Sequence, residues 1–483
     1  MHDATDKNET QTYWLTMVPY LPKKISNTAI YLYLGALAAV TIFFIRHTMS
    51  LTFYIIGIVW VVGFFLLSSY CSMKWQTIPQ KSLLRNLFLS ALGLRWAWTI
   101  FAYIFYTYQT GAPFEFSAGD SVWYYEETMG NVHANIADIW RYLFVDTKTI
   151  SDSGYILYLS LLSKITGYSI LLPRLVNGLF SAAMVLLVYF LAKRNIGEEG
   201  GRMAAIFTCF MPNLIFYCGL HLKETLMIFL LIAFLERADY LLRSKKYNVF
   251  TIALPLLLAV SLFTFRTVLG AAAVFSFATA LVFTNTSVVG RGKRIMLIAW
   301  GVLAVTTLTG GIISNELQAT WEDRSENQIA KRTHQTRKGN QWAKYATGTV
   351  MAPMMFVMPF PTMVDVDEQY NQQMISGGNY VRNFFGVFVL IAVFSAIFIT
   401  KNWRNLSFIG SFAIAYLGII SASGFANSER FLLPALPVLL IMAAYGITLL
   451  NAKNYRFVKM WYYVVPTMAF AWAFFKLGSR GLF

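Results

Sequence analysis

LTFYIIGIVWVVGFFLLSSY, residues 51–70, decides the fold. It runs for 20 residues without a single charged side chain. That is the length a helix needs to cross the hydrocarbon core of a bilayer, roughly 17–25 residues. Working outward, runs of the same kind fall at 28–45, 86–108, 170–192, 203–220, 225–242, 247–265, 267–284, 295–314, 380–400, 406–423, 431–450 and 457–475. Together these runs predict an all-α polytopic membrane protein of about 13 transmembrane helices. The stretch 247–284 divides at Arg266, because nearly 40 residues is too long for one span.

Composition agrees. The chain is 57% hydrophobic and 13% charged, with a mean hydropathy of +0.54; soluble domains carry about 25% charged residues. The first 27 residues are polar and hold no short apolar core with a small-residue cleavage site, so no cleavable signal peptide is expected. The formal net charge is +16. Nucleic acid binding is not needed to explain it, because Lys and Arg gather in alternate short loops: Lys74, Lys81 and Arg85; Lys193, Arg194 and Arg202; Arg237, Arg243, Lys245 and Lys246; Arg291, Lys293 and Arg294; Lys401 and Arg404; Lys453, Arg456 and Lys459. With Lys23 and Lys24 also inside, the positive-inside rule fixes the register of the spans. Cys71, Cys209 and Cys218 lie in or beside apolar runs, with neither metal-ligand spacing nor a disulfide framework.

This register divides the chain into an N-terminal tail with three spans (1–108), a first outer loop with interfacial helices (109–169), central spans (170–314), a second outer loop (315–379) and C-terminal spans (380–483). The stretch 153–168 is amphipathic and suited to the membrane interface. No internal repeat marks the inverted topology of many secondary transporters.

Three constellations could carry chemistry. The first is acidic: Gly119-Asp120-Ser121-Val122-Trp123-Tyr124-Tyr125-Glu126-Glu127, followed by Asp138, Asp146 and Asp152. A general base must lie close to a nucleophile. Asp120 is the best placed, since a glycine precedes it and aromatics follow; Glu126, Glu127 and Asp152 are supporting acids. The ordinary alternative is a solvated acidic loop. The second is Cys218-Gly219-Leu220-His221-Leu222-Lys223-Glu224-Thr225. Lys223 could meet a lipid phosphate, Glu224 could orient it, and His221 with Tyr124 could face an acceptor; alternatively Glu224 caps a helix and Lys223 snorkels. The third is cationic and falls outside: Arg266, the cluster 331–344 with Arg337 and Lys338, Arg382 and Arg430. A phosphate or diphosphate at the outer surface would account for them, because guanidinium matches its oxygens bidentately. The sequence contains no Walker A motif, dinucleotide fingerprint or nucleophile elbow. No cofactor is required. A divalent cation held by Asp120 and another carboxylate is compatible with these residue types.

At these residues the chain resembles the GT-C superfamily of polytopic glycosyltransferases, in particular the branch of protein O-mannosyltransferases and bacterial aminoarabinose transferases of lipid A. The likeness rests on Gly119-Asp120 with Tyr124-Tyr125 in the first large outer loop, and on Gly154-Tyr155-Ile156-Leu157-Tyr158-Leu159 with Thr166-Gly167-Tyr168 after it. It continues through Pro173-Arg174-Leu175-Val176-Asn177-Gly178 and Val188-Tyr189-Phe190-Leu191-Ala192-Lys193-Arg194 to Glu429-Arg430-Phe431-Leu432-Leu433-Pro434-Ala435-Leu436-Pro437. It covers about half the chain.

The resemblance implies a sugar donor carried on polyprenyl phosphate and a glycan, lipid or protein acceptor. It places the reaction on the outer face of a bacterial cytoplasmic membrane. It maps the catalytic base onto Asp120 and lipid-phosphate binding onto Lys223, Arg266 and Arg430. Three departures stand beside it. Two extra spans precede the loop, Ser121 stands where an acidic residue often follows the family aspartate, and Ser151-Asp152-Ser153-Gly154 replaces a proline pair. Two other functions fit the same sequence. One is a polymerase or ligase using polyprenyl-diphosphate oligosaccharides. The other is a lipid-linked-glycan flippase or transporter, for which Arg95 and Arg174 would be the charges near or within spans.

Overall fold

The computed structural model describes residues 19–146, 150–244, 248–283, 296, 299–301, 303, 357–367, 369–422 and 428–482. Among them every regular element is helical and no strand is present. Seven helices are long and apolar enough to cross a membrane: Lys23–Phe43, Leu51–Lys74, Gln80–Thr110, Leu171–Phe210, Ser376–Ile399, Trp403–Ser421 and Glu429–Thr448. This is an integral membrane protein by the length and composition of its helices. The cluster Lys331 to Lys344, with Arg337 and Lys338, lies outside the described residues.

In chain order, α1 (Lys23–Phe43), α2 (Leu51–Lys74) and α3 (Gln80–Thr110) lead to a group of short helices: α4 (Gly119–Asn131), α5 (Ile136–Arg141) and α6 (Ser153–Thr166). The last of these coincides with the amphipathic stretch expected from sequence.

Next comes α7 (Leu171–Phe210), whose 40 residues would extend about 60 Å if straight. It is not straight. Gly197, at φ 89° and ψ 172°, breaks it in a backbone region that only glycine adopts readily. The second half folds back on the first. The guanidinium of Arg95 in α3 donates to Ser181 Oγ in the first half (2.7 Å) and to the carbonyls of Thr208 (3.2 Å) and Cys209 (3.1 Å) in the second. The polar run around Gly197 signals this turn in the sequence.

α8 (Pro212–Phe216), α9 (Glu224–Arg243), α10 (Val249–Phe265) and α11 (Thr267–Phe283) follow, and the chain turns at Arg266 between the last two. They pack closely there, since a Cβ on Gly270 would stand 2.7 Å from the Phe263 ring. After the second loop come α12 (Tyr370–Met374), α13 (Ser376–Phe394), α14 (Trp403–Ala422), α15 (Glu429–Leu432), α16 (Leu436–Thr448) and α17 (Tyr455–Gly478). α13 and α16 meet almost backbone to backbone: a Cβ on Gly446 would lie 1.9 Å from the Phe388 carbonyl oxygen. Small residues at such crossings let membrane helices approach closely.

Two groups of ion pairs mark opposite ends of α9. At one end Arg194 in α7 pairs with Glu236 (2.8 Å) and Asp239 (2.6 Å) in α9, and Arg243 pairs with Asp239 (3.0 Å). At the other end lie the turn before α4, the start of α9, the α10–α11 corner and the start of α15. Asp120, Asp152, Lys223, Glu224, Arg266 and Arg430 stand there.

Candidate functional site

Each charged residue of this cluster occupies a helix terminus. Asp120 sits in the first turn of α4, where a carboxylate complements the helix dipole. Lys223 and Glu224 open α9, Arg266 is the corner between α10 and α11, and Arg430 belongs to the single turn of α15. Asp152 precedes α6 with φ 74°, in the left-handed region that Asp and Asn tolerate better than most side chains.

Arg430 is the hub. Its Nε donates to Glu224 and its Nη1 to Asp120. Glu224 also faces Arg266 Nη2 at 3.4 Å, so one carboxylate oxygen joins two guanidinium groups. Arg266 is held further by the Tyr416 hydroxyl at 3.3 Å, and its guanidinium lies 4.5 Å above the centre of the Phe431 ring. Tyr416 in turn donates to the Phe431 carbonyl at 2.8 Å. Exposure differs sharply along this chain of contacts: the Glu224 side chain is 0% exposed, Arg430 21% and Asp120 60%. Glu224 Oε2 is buried with no hydrogen-bond partner among the described residues.

A second pair stands beside the first. Lys223 Nζ donates to Asp152 and, at 2.7 Å, to the Phe265 carbonyl, while the Tyr124 hydroxyl donates to Asp152 at 2.7 Å. Burial pushes the Lys223 ammonium down to about 8, against the pull of Asp152. Burial works to raise Asp152, but the charge and hydrogen bonds of Lys223 and Tyr124 outweigh it and hold the carboxyl below the usual range. The Tyr124 phenol is pushed well above its ordinary value, by burial first and then by the neighbouring carboxylates Asp152 and Glu224.

His221 is buried among the rings of Phe114, Tyr125 and Tyr155, and neither ring nitrogen has a hydrogen-bond partner among the described residues. Burial, helped by the charge of Arg174, lowers it to about 3, so the imidazole is neutral.

Asp120, Tyr124, Asp152, Lys223, Glu224, Arg266 and Arg430 therefore converge, although Asp120 and Arg430 are 310 positions apart. Glu126 and Glu127 stand apart from this cluster: with Trp123, Gly130, Asn131 and Tyr142 they line a shallow depression, where Glu127 accepts from Tyr142 at 3.1 Å. Arg95 and Arg174, the charges assigned to a transporter, both bond to backbone carbonyls, although Arg174 Nε is buried with no hydrogen-bond partner among the described residues. Arg95 is capped by three carbonyls and a hydroxyl, and Arg174 donates to the Gly219 and Pro113 carbonyls.

Sequence reasoning missed Glu115. It is 7% exposed and accepts from Ser121 Oγ at 2.6 Å, so Ser121 brings in a carboxylate from six positions upstream. Burial raises the Glu115 carboxyl, partly offset by the Ser121 hydrogen bond. Also missed was the buried support behind Arg430, where Glu429 accepts from Asn213 and, at 3.3 Å, from Asn379. No group of three or more His, Cys, Asp or Glu side chains gathers as a metal site among the described residues.

The arrangement supplies an exposed carboxylate on the Arg430 guanidinium, with the Arg266 guanidinium joined to Arg430 through buried Glu224 and the Lys223 ammonium held by Asp152. It can bind an anionic oxygen cluster and accept a proton next to it. Compared with known proteins, the chain matches no family model and no curated protein.

Proposed function

We propose that this protein is an inverting membrane glycosyltransferase of GT-C type that moves a sugar from a polyprenyl-phosphate donor to a glycan, lipid or protein acceptor. What carries this reading is the meeting of Arg430, Arg266 and Lys223 with Asp120 at one end of apolar helices. In the proposed reaction Asp120 takes the proton of the acceptor hydroxyl or amine, and the acceptor atom attacks the anomeric carbon. The bond from that carbon to the phosphate oxygen breaks, and its electron pair stays on the phosphate. Arg430 and Arg266 face the developing charge, and fixed cations of this kind supply much of the barrier reduction in such sites.

The reading takes this end of the helices as extracytoplasmic, with the Arg194 end in the cytoplasm as the basic loops require. It keeps the register of about 13 spans and places the protein in a bacterial cytoplasmic membrane. The exposed aromatics Trp123, Trp140 and Tyr142 on the short helices suit a headgroup layer.

The test is to incubate purified protein with polyprenyl-phosphate and polyprenyl-diphosphate sugars and measure release of the lipid carrier. Release from the monophosphate donors is expected. Release from diphosphate donors alone favours the polymerase or ligase reading. A folded protein releasing carrier from neither class, with acceptors supplied, contradicts both.

A further inference from the structure

Arg430 holds two carboxylates that differ in a way the proposed reaction does not explain. Both remove charge from the group meant to bind phosphate. The Glu224 leg is 0% exposed and is shared with Arg266; the Asp120 leg is 60% exposed and, among the described residues, has no side-chain partner other than the guanidinium. An ion pair at high exposure is worth little against water and salt, whereas a fully desolvated one is costly to break. An anion arriving at Arg430 therefore displaces Asp120 and leaves Glu224 in place.

We propose that Glu224 is the fixed anchor that aims Arg430 and Arg266 at the site, and that Asp120 is a displaceable partner exchanged for the donor's phosphate. This deepens, and rests on, the reading of the cluster as a lipid-phosphate site. In the empty protein the Asp120 carboxylate is occupied by the guanidinium. Once phosphate takes that guanidinium, the carboxylate is free to accept the acceptor's proton. Binding order follows: the donor arms the base, and the acceptor reacts second. The same exchange keeps the armed carboxylate from being presented when no donor is bound. Glu224 acts through the two arginines and is a positioning residue.

The charge alone gives a sharp test, because Asp120→Asn and Glu224→Gln each delete one negative charge at the same guanidinium. Simple repulsion of phosphate by carboxylates requires both to tighten binding. The exchange requires opposite signs. Polyprenyl phosphate is titrated into the full chain in detergent, with tryptophan fluorescence as readout. D120N is expected to bind about three- to five-fold tighter than wild type, and E224Q about ten-fold weaker. Tighter binding by both variants, or unchanged binding by D120N, overturns the exchange while leaving the phosphate site standing. A wild type that binds no polyprenyl phosphate removes the site and the exchange together. If E224Q does not fold, D120N is measured in an R430Q background: its gain vanishes if Asp120 competes for Arg430, and its persistence overturns the proposal.

Discussion

Replacing Lys223 with Met removes the cation that holds Asp152 and the donor that satisfies the Phe265 carbonyl. The Lys223 side chain is 5% exposed and Asp152 24%. Breaking a buried pair by deleting one partner costs about 3–5 kcal/mol, and the partial exposure of Asp152 places this case near 3 kcal/mol. Unfolding entropy of about 2 cal/mol/K per residue makes each kcal/mol worth roughly 1 °C in a chain of this length, so Lys223→Met lowers the melting temperature by about 3 °C. Asp152→Asn is the right partner change, since Asn tolerates the left-handed backbone at φ 74° that a larger apolar residue would resist. It leaves Lys223 buried and unpaired, at a similar cost. The double variant has no unpaired charge, so its loss is expected to be about that of one single variant rather than the sum. The assay is thermal unfolding in detergent for all four proteins. Two additive losses, or a Lys223→Met protein as stable as wild type, would refute the claim that these side chains form one buried pair.

Three further outcomes follow from particular contacts. Lys223 loses its charge as pH rises through about 8, so affinity for polyprenyl phosphate should fall on that limb, and Lys223→Arg, which stays charged, should flatten the titration. Gly446→Ala should fold poorly, because its methyl would lie 1.9 Å from the Phe388 carbonyl oxygen, and size-exclusion chromatography of the expressed protein reads this directly. Glu126→Gln and Glu127→Gln should each keep transfer within about two-fold of wild type, since neither meets the arginine cluster and surface changes of this kind are mild; a hundred-fold loss at either would place a second acid in the reaction.

Much of the site was legible as single residues. Lys223, Glu224, Arg266 and Arg430 stand out because charges at the ends of apolar runs are expensive unless used, and Asp120 stands out because a glycine precedes it and aromatics follow. The break at Arg266 and the turn at Gly197 were legible too, as polar interruptions of runs too long for one span. Partnership was not legible. Nothing in the sequence says that Arg430 reaches across 310 positions to Asp120, because that contact is set by how helices pack and not by local pattern. Arg95 looked like a working charge because its three carbonyl partners are backbone atoms, which every residue carries. Glu115 was passed over because a lone acid about five positions before a favoured one looks like part of a solvated loop; only the Ser121 contact shows otherwise.

The most direct measurement of the central claim is sugar transfer by Asp120→Asn beside wild type, with donor binding followed in the same preparations. Loss of a general base predicts a fall of about a hundred-fold or more in the rate of transfer, with polyprenyl phosphate still bound. Transfer at near wild-type rate by a folded Asp120→Asn protein would contradict the assignment of Asp120 as the base.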